Sequence, residues 1–149
     1  MSVRRAEPRD AEAIAQLLYD FNTEYDEPTP EPPQLAARIR EVMGGDTIVL
    51  LAGDGPDGLA VLRFRLSLWS TAKECYVAEL YVVPQRRGQG LGRALMESAI
   101  ELARQEGADW MDVGTSEDDV AARALYESLG FINREGPEGP ITYFYGREL

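Results

Sequence analysis

Hydrophobic residues recur along the chain with two different periods, and each period predicts one kind of secondary structure. Spacings of three and four residues, which put side chains on one face of a helix, predict helices. Helices are expected at residues 11–25, 33–43, 91–106 and 120–129. Alternating or continuous runs of apolar, β-branched and aromatic residues predict strands. Strands are expected at residues 3–5, 47–52, 59–69, 75–83, 110–114, 131–134 and 141–147.

These elements follow one another in the order β-α-α-β-β-β-α-β-α-β-β, which predicts an α/β (α+β) fold. A chain of 149 residues is long enough to bury a core without disulfides or metals. No internal repeat or linker interrupts the pattern, and the loop from Glu27 to Pro33 holds four prolines between the first two helices. The sequence therefore predicts a single domain over residues 1–149.

The segment from Glu79 to Gly92 joins a predicted strand to a predicted helix through a glycine-rich turn. Pro84 ends the strand because proline has no N–H for the ladder, and the helix begins at Leu91. Glycines stand at three alternate positions in this segment: Gly88, Gly90 and Gly92. Backbone N–H groups at a helix start lack partners and carry partial positive charge, so a glycine turn placed there favours phosphate binding.

Different phosphate-binding loops need different residues after their glycines. A nucleotide P-loop ends in Gly-Lys-Ser/Thr, whereas here Gly92 is followed by Arg93 and Ala94. A dinucleotide-binding turn needs a third small residue at the position of Arg93, although Asp109 and Asp112 lie near the distance of a ribose-binding acid. The spacing alone therefore leaves a nicotinamide-dependent oxidoreductase open as an alternative.

Two segments carry a resemblance to a known family. Gln85, Gly88 and Gly90 form the pattern Gln-x-x-Gly-x-Gly behind the strand sequence Leu-Tyr-Val-x-Pro. This resembles the pyrophosphate-binding loop of the GNAT superfamily of N-acetyltransferases. Residues 119–131 resemble the same superfamily's signature Asn-x-x-Ala-x-x-Leu-Tyr-x-x-x-Gly-Phe. Asp119 stands where the family usually has asparagine, and a carboxylate accepts hydrogen bonds without donating any.

The resemblance implies a GNAT fold, with a mixed central sheet of six to seven strands and about four helices. It implies that the strands near 76–83 and 110–114 splay apart. Acetyl-CoA would then enter the gap from one side and an acceptor amine from the other. The residues expected to bind acetyl-CoA are Leu80, Tyr81, Val82, Gln85, Arg86, Arg87, Gly88, Gln89, Gly90, Leu91, Gly92 and Asp119.

Two residues are candidates for the chemistry. Tyr126 matches the family tyrosine that faces the CoA sulfur, where its hydroxyl would help the thiolate to leave. An ammonium acceptor must lose a proton before it attacks, and Glu79 is the first candidate for this base, directly or through water. The resemblance places acidic residues of this strand near the acceptor, and partial burial would raise the pKa of such a carboxyl. Asp112 or ordered water is the alternative base.

Composition limits the chemistry further. The chain has no histidine and one cysteine, which excludes histidine-dependent hydrolase mechanisms and predicts no metal site. Its net charge of −11 argues against a nucleic-acid partner, and no apolar stretch is long enough to span a membrane. The single cysteine makes a reducing cytoplasm the expected location.

The sequence thus predicts an N-acetyltransferase that moves an acetyl group from acetyl-CoA to a primary amine of a small cationic molecule, which suits the acidic charge. Glu24, Asp26 and Glu27 lie where the family's acceptor-binding loop usually sits. They either select the cation or form an ordinary charged loop. A protein or peptide acceptor and a non-catalytic CoA-binding sensor are the alternatives. Family members often dimerise through terminal strands, so the resemblance allows a homodimer, but the sequence does not determine the oligomeric state.

Overall fold

The computed structural model describes residues 2–149, and its elements follow the predicted order as far as residue 128. The helices are α1 (Ala11–Glu24), α2 (Pro32–Met43), α3 (Leu91–Gln105) and α4 (Val120–Ser128). The strands are β1 (Val3–Arg5), β2 (Thr47–Ala52), β3 (Gly58–Leu66), β4 (Lys73–Val82) and β5 (Ala108–Val113). This mixture of helices and strands confirms the expected α/β class.

The strands form one sheet in the order β1-β2-β3-β4-β5, so each lies beside its neighbour in sequence. The first four run antiparallel, with Leu50 opposite Ala60 in the β2–β3 pair. After the α3 crossover, β5 begins beside the start of β4, where the N–H of Lys73 donates to the carbonyl of Gly107 at 3.0 Å. The two strands therefore run parallel, which makes the sheet mixed.

By its internal contacts the chain divides into two compact units, of which one ends at Met111 and the other comprises Asp112–Leu149. In the first unit, α1 and α2 have apolar stripes that pack on the sheet, because Ile14 and Ile39 are buried in one cluster with Leu51 and Leu59. The buried stripe of α3 consists of Leu91, Leu95, Met96, Ala99 and Ala103.

In the second unit, the strands expected at 131–134 and 141–147 do not form. Within the described residues, an isolated bridge joins Arg134 to Ile141, next to a hydrogen bond of 2.9 Å from the N–H of Thr142 to the carbonyl of Asn133. Within residues 2–149 the sheet has five strands, so the expectation of six to seven was wrong. High β-propensity does not make a strand unless a neighbouring strand takes up its backbone hydrogen bonds.

No helix within residues 2–149 is both long and apolar enough to cross a bilayer.

Candidate active site

A bulge in β4 decides which face of the sheet receives Glu79. In the β3–β4 ladder, Val77 lies opposite Leu62 and Glu79 lies opposite Val61, so Ala78 is an extra residue between the two pairs. A bulge of this kind breaks the alternation of side chains along the strand. Glu79 therefore shares the face of Val61, whereas Val77 shares the opposite face with Leu62.

The face that carries Glu79 is the one on which α1 and α2 pack, because Val61 contacts the cluster of Ile14, Leu59 and Tyr81. The Glu79 side chain is half-buried there, and its carboxyl makes no hydrogen bond or ion pair within residues 2–149. Burial raises the pKa of Glu79 above its ordinary value. A carboxyl with a raised pKa is a better general base near neutral pH than an ordinary surface glutamate.

The glycine turn after β4 adopts backbone angles that glycine takes without strain. A 3-10 turn at Pro84–Arg86 follows the strand, after which Gly88 has φ +74° and Gly90 has φ +86°. A Cβ at position 88 would meet no atom of the described residues within 4 Å. Gly88 is therefore needed for its left-handed φ, and the space beside it is open to a ligand.

The start of α3 presents unpaired backbone donors. Gly90 is the N-cap, no side chain caps the helix, and the first helical hydrogen bond runs from the N–H of Ala94 to the carbonyl of Gly90 at 3.0 Å. The N–H groups of Leu91 and Gly92 come before this bond and have no acceptor within the helix. They carry the positive end of the helix dipole, and a pyrophosphate group fits this donor set.

The two arginines of the turn are held by different carboxylates. Arg86 donates from Nη1 to Oδ2 of Asp57 at 2.8 Å and from Nε to Oε1 of Gln89 at 3.0 Å. Arg87 donates from Nη1 and Nη2 to the two carboxylate oxygens of Glu24, each at 2.8 Å. Because these carboxylates neutralise both guanidinium groups, the positive potential of the turn comes chiefly from the backbone of α3.

The other acetyl-CoA-binding candidates of the first unit lie on β4 and at the ends of the turn. Leu80 and Val82 are half-buried, and Tyr81 is buried. Gln85 and Gln89 are exposed, with Nε2 of Gln89 donating to the carbonyl of Gln85 at 3.4 Å. On β4, main-chain groups rather than the buried side chains are therefore available for hydrogen bonding.

In the second unit, Asp119 and Tyr126 lie at the start and in the second half of α4. Asp119 is the N-cap: Oδ1 accepts from the N–H of Ala122 at 3.1 Å, and Oδ2 accepts from the hydroxyl of Thr115 at 3.4 Å. Tyr126 is the buried residue of α4, and its ring meets Phe131 edge-on at 6.1 Å between centroids. Burial, and to a smaller extent the charge of Asp119, raises the pKa of Tyr126 to about 12. Its hydroxyl therefore stays protonated at neutral pH.

The structure brings Glu79 and the turn together on consecutive elements of the first unit, while Asp119 and Tyr126 share one helix of the second. Sequence reasoning missed the roles of Asp57 and Glu24, whose ion pairs join residues 29 and 63 positions apart. The one local signal of the Glu24–Arg87 ion pair was the position of Glu24 at the C-terminal end of α1, where the helix dipole disfavours a carboxylate.

Among the described residues, no group of three or more Cys, Asp or Glu side chains is placed to hold a metal ion.

Similarity to known acetyltransferases extends over most of the chain. The sequence profile of the Acetyltransferase (GNAT) family matches residues 11–131. The chain is 31% identical over 147 residues to an aminoglycoside N(6')-acetyltransferase type 1 of Stenotrophomonas maltophilia, covering 96% of this chain and 91% of the relative. It is 24% identical over 139 residues to a thialysine N-epsilon-acetyltransferase of Caenorhabditis elegans, with coverages of 91% and 86%. A crystal structure from Arthrobacter sp. FB24, assigned as an acetyltransferase, has a TM-score of 0.92 and 43% identity, with coverages of 100% and 96%.

Proposed function

The chain belongs to the acetyltransferase (GNAT) family and is an acyl-CoA-dependent N-acetyltransferase, and from this premise we propose that its acceptor is the primary amine of a small cationic molecule. The observation that carries the proposal is the half-buried Glu79 carboxyl, on the strand that leads into the glycine turn. A carboxyl in this position both attracts an ammonium group and accepts its proton.

Acetyl-CoA is the proposed acyl donor, since acetyltransferases of this family use it as cosubstrate. It supplies an activated acetyl thioester and an anionic pyrophosphate. In this proposal the N–H groups at the start of α3 bind the pyrophosphate, and the open side of Gly88 permits close approach. The backbone groups of Leu80, Tyr81 and Val82 serve the pantetheine amides, and Asp119 caps the helix that carries Tyr126.

The proposed chemistry divides between two side chains. Glu79 removes a proton from the acceptor ammonium, directly or through water, and its raised pKa suits that task. Tyr126 keeps its proton at neutral pH because its pKa is about 12, and its hydroxyl donates to the sulfur of the departing CoA. In a ternary complex, the neutral amine then attacks the thioester carbonyl directly, so that the C–N bond forms and the C–S bond breaks with CoA thiolate as the leaving group. Proton removal at the amine and proton donation at the sulfur are thus assigned to different groups.

A small cationic acceptor is supported by charge and by the relatives. The net charge of −11 favours the approach of cations. The two curated relatives described above are named for aminoglycoside and thialysine, both small amines. Both relatives match more than nine-tenths of this chain.

The proposal covers the whole chain as one catalytic domain, because the family profile at 11–131 spans the boundary between the two units. It includes a homodimer, because the neighbouring aromatic residues Tyr143, Phe144 and Tyr145 are exposed. It also includes a cytoplasmic location, since a chain with one cysteine forms no internal disulfide.

The decisive experiment measures thiol release from acetyl-CoA with a panel of polyamines, aminoglycosides, amino acids and short peptides. We expect turnover with a small polycationic amine and a KM for that amine that rises with ionic strength. Turnover with peptides alone would overturn the proposed acceptor class. Thermal stabilisation by acetyl-CoA without turnover on any amine would favour a sensor, and absence of stabilisation would remove acetyl-CoA from the proposal.

A further inference from the structure

Glu24 occupies a position that its own helix disfavours. It is the last residue of α1, where the negative end of the helix dipole repels a carboxylate, and the last turn of α1 contains no basic residue. Its compensating charge is Arg87, 63 residues further along the chain. The Glu24 carboxylate is unfavourable within its own helix but forms an ion pair with a residue distant in sequence, which indicates a role in the tertiary structure.

The guanidinium group of Arg87 contacts three residues, which together hold its position: Glu24, Val82 and Tyr81. Nη1 and Nη2 each donate to one carboxylate oxygen of Glu24 at 2.8 Å, and Nε donates to the carbonyl of Val82 at 2.9 Å. The guanidinium carbon lies 5.6 Å from the centre of the Tyr81 ring, and the Tyr81 hydroxyl donates to Glu24 at 3.3 Å. Arg87 therefore ties the end of α1 to the end of β4.

Arg87 is also the residue immediately before Gly88, so the same contacts limit the freedom of the glycine turn. Glycines lose much conformational entropy when a ligand orders them, and a turn that is already ordered binds with a smaller cost. A planar, bidentate ion pair is a stiff anchor for such a turn.

We propose that Glu24 is a positioning residue for acetyl-CoA: by holding Arg87, it keeps the Gly88–Gly90 turn in its binding conformation. The inference rests on the proposed function, because it assigns a role at the same acetyl-CoA site. It also gives Glu24 a different task from the acceptor selection suggested by its place in the sequence.

A competing role for Arg87 predicts the opposite result. If the guanidinium instead left Glu24 to bind the pyrophosphate directly, Glu24 would compete with the ligand. Removing the Glu24 carboxylate would then tighten acetyl-CoA binding, whereas removal of an anchor weakens it.

The test compares acetyl-CoA affinity, by calorimetry, in the wild type, Glu24→Gln, Arg87→Lys and the double variant. We expect each single variant to raise Kd about three- to tenfold, because each removes one bidentate ion pair. The double variant should be no weaker than the weaker single variant, since both act on one contact. At saturating acetyl-CoA, kcat should stay within about twofold of the wild type.

Asp10→Asn is the matched control, because Asp10 makes a bidentate ion pair with Arg4 at 2.9 Å for each bond, outside the turn. It should leave the Kd for acetyl-CoA unchanged. An unchanged or lower Kd in Glu24→Gln would overturn the inference, and so would a Kd in Arg87→Lys equal to that of the wild type. Arg87→Lys also covers the case in which Glu24→Gln fails to fold.

Hydrogen exchange in the free protein separates this inference from the proposed function. In Glu24→Gln, the amides of residues 87–90 should exchange faster, with no change in the amides of α2. If the wild type binds no acetyl-CoA, the proposed function fails, while the exchange rates still decide whether Glu24 orders the turn. Equal exchange rates in the two proteins would overturn the ordering role.

Discussion

At the scale of single residues, Glu79 allows catalysis to be separated from folding. Replacing it by glutamine removes the proposed base but keeps the size of the side chain. We expect Glu79→Gln to lower kcat/KM about 100-fold at neutral pH, the usual contribution of a general base. Steady-state thiol release measures the effect, and Glu101→Gln, at an exposed position of α3, controls for the loss of one negative charge. Full activity in Glu79→Gln would assign the proton to Asp112 or to water.

The raised pKa of Glu79 also determines in which direction the free energy of unfolding changes with pH. The folded protein holds this proton more tightly than the unfolded chain, in which the carboxyl has its ordinary pKa of 4.5. Protonated Glu79 therefore favours folding below that pH, and the contribution is lost as the pH rises through the higher folded pKa. Glu79→Gln should consequently gain unfolding free energy relative to the wild type as the pH rises above 4.5, as urea unfolding at several pH values would show. A difference that does not change with pH would contradict the raised pKa.

Tyr126 differs from Glu79 because its proposed role depends on keeping its proton. Tyr126→Phe removes the hydroxyl and retains the ring that meets Phe131. We expect kcat to fall about 100-fold because the leaving thiolate loses its donor, with little change in KM for acetyl-CoA. Steady-state kinetics and a melting curve measure both properties, and a fall in kcat that only follows a fall in stability would show a packing role instead.

At the scale of elements, the strand–turn–helix unit of β4 and α3 carries a prediction about backbone conformation. Gly88→Ala places a Cβ on a residue with φ +74°, which should destabilise the protein by about 1 kcal/mol. It should also weaken acetyl-CoA binding, because the turn would relax from its binding conformation. Urea unfolding and calorimetry measure the two effects.

Gly107→Ala is the control for this strain. Gly107 also has a positive φ, at +88°, and a Cβ there would meet no atom within 4 Å in the described part of the chain, but Gly107 lies after α3 and not before it. The control should lose similar stability and keep its affinity for acetyl-CoA. Equal losses of affinity in both variants would show that backbone strain at either end of α3 weakens acetyl-CoA binding, and that the effect is not specific to the turn.

The same unit shows how far sequence reasoning reaches at this scale. Pro84, the glycines and the change of hydrophobic period predicted the turn and the start of α3 at Leu91, because such signals act within a few residues. The bulge at Ala78 was not predicted, since no residue in β4 requires it. It arises from the register against β3, and it decides the face on which Glu79 lies.

At the scale of the whole molecule, the aromatic run near the C-terminus predicts self-association. Tyr143, Phe144 and Tyr145 are 76%, 85% and 87% exposed, which is unusual for neighbouring aromatic residues in a monomer. We expect a dimer in sedimentation equilibrium, and a dissociation constant at least about tenfold higher in the Tyr143→Ser/Tyr145→Ser variant.

Val120→Ser provides the control for that measurement, because Val120 is also exposed, at 70%, but lies on α4 outside the aromatic run. It should leave the dissociation constant unchanged. A wild-type protein that stays monomeric at all concentrations would contradict the homodimer, and an unchanged dissociation constant in Tyr143→Ser/Tyr145→Ser would place the interface elsewhere.

The sequence by itself determined the class of fold, the order of elements up to α4, the glycine turn before α3 and the family, because these depend on local spacing and on residues with special backbone angles. The tertiary structure decided the face of Glu79, the carboxylate partners of Arg86 and Arg87, the burial of Tyr126 and, within the described residues, the absence of further strands after α4. Those properties depend on contacts between residues distant in sequence. Such contacts change the pKa of a side chain or supply the backbone hydrogen bonds that a strand needs from its neighbour. No local pattern in this chain predicts them.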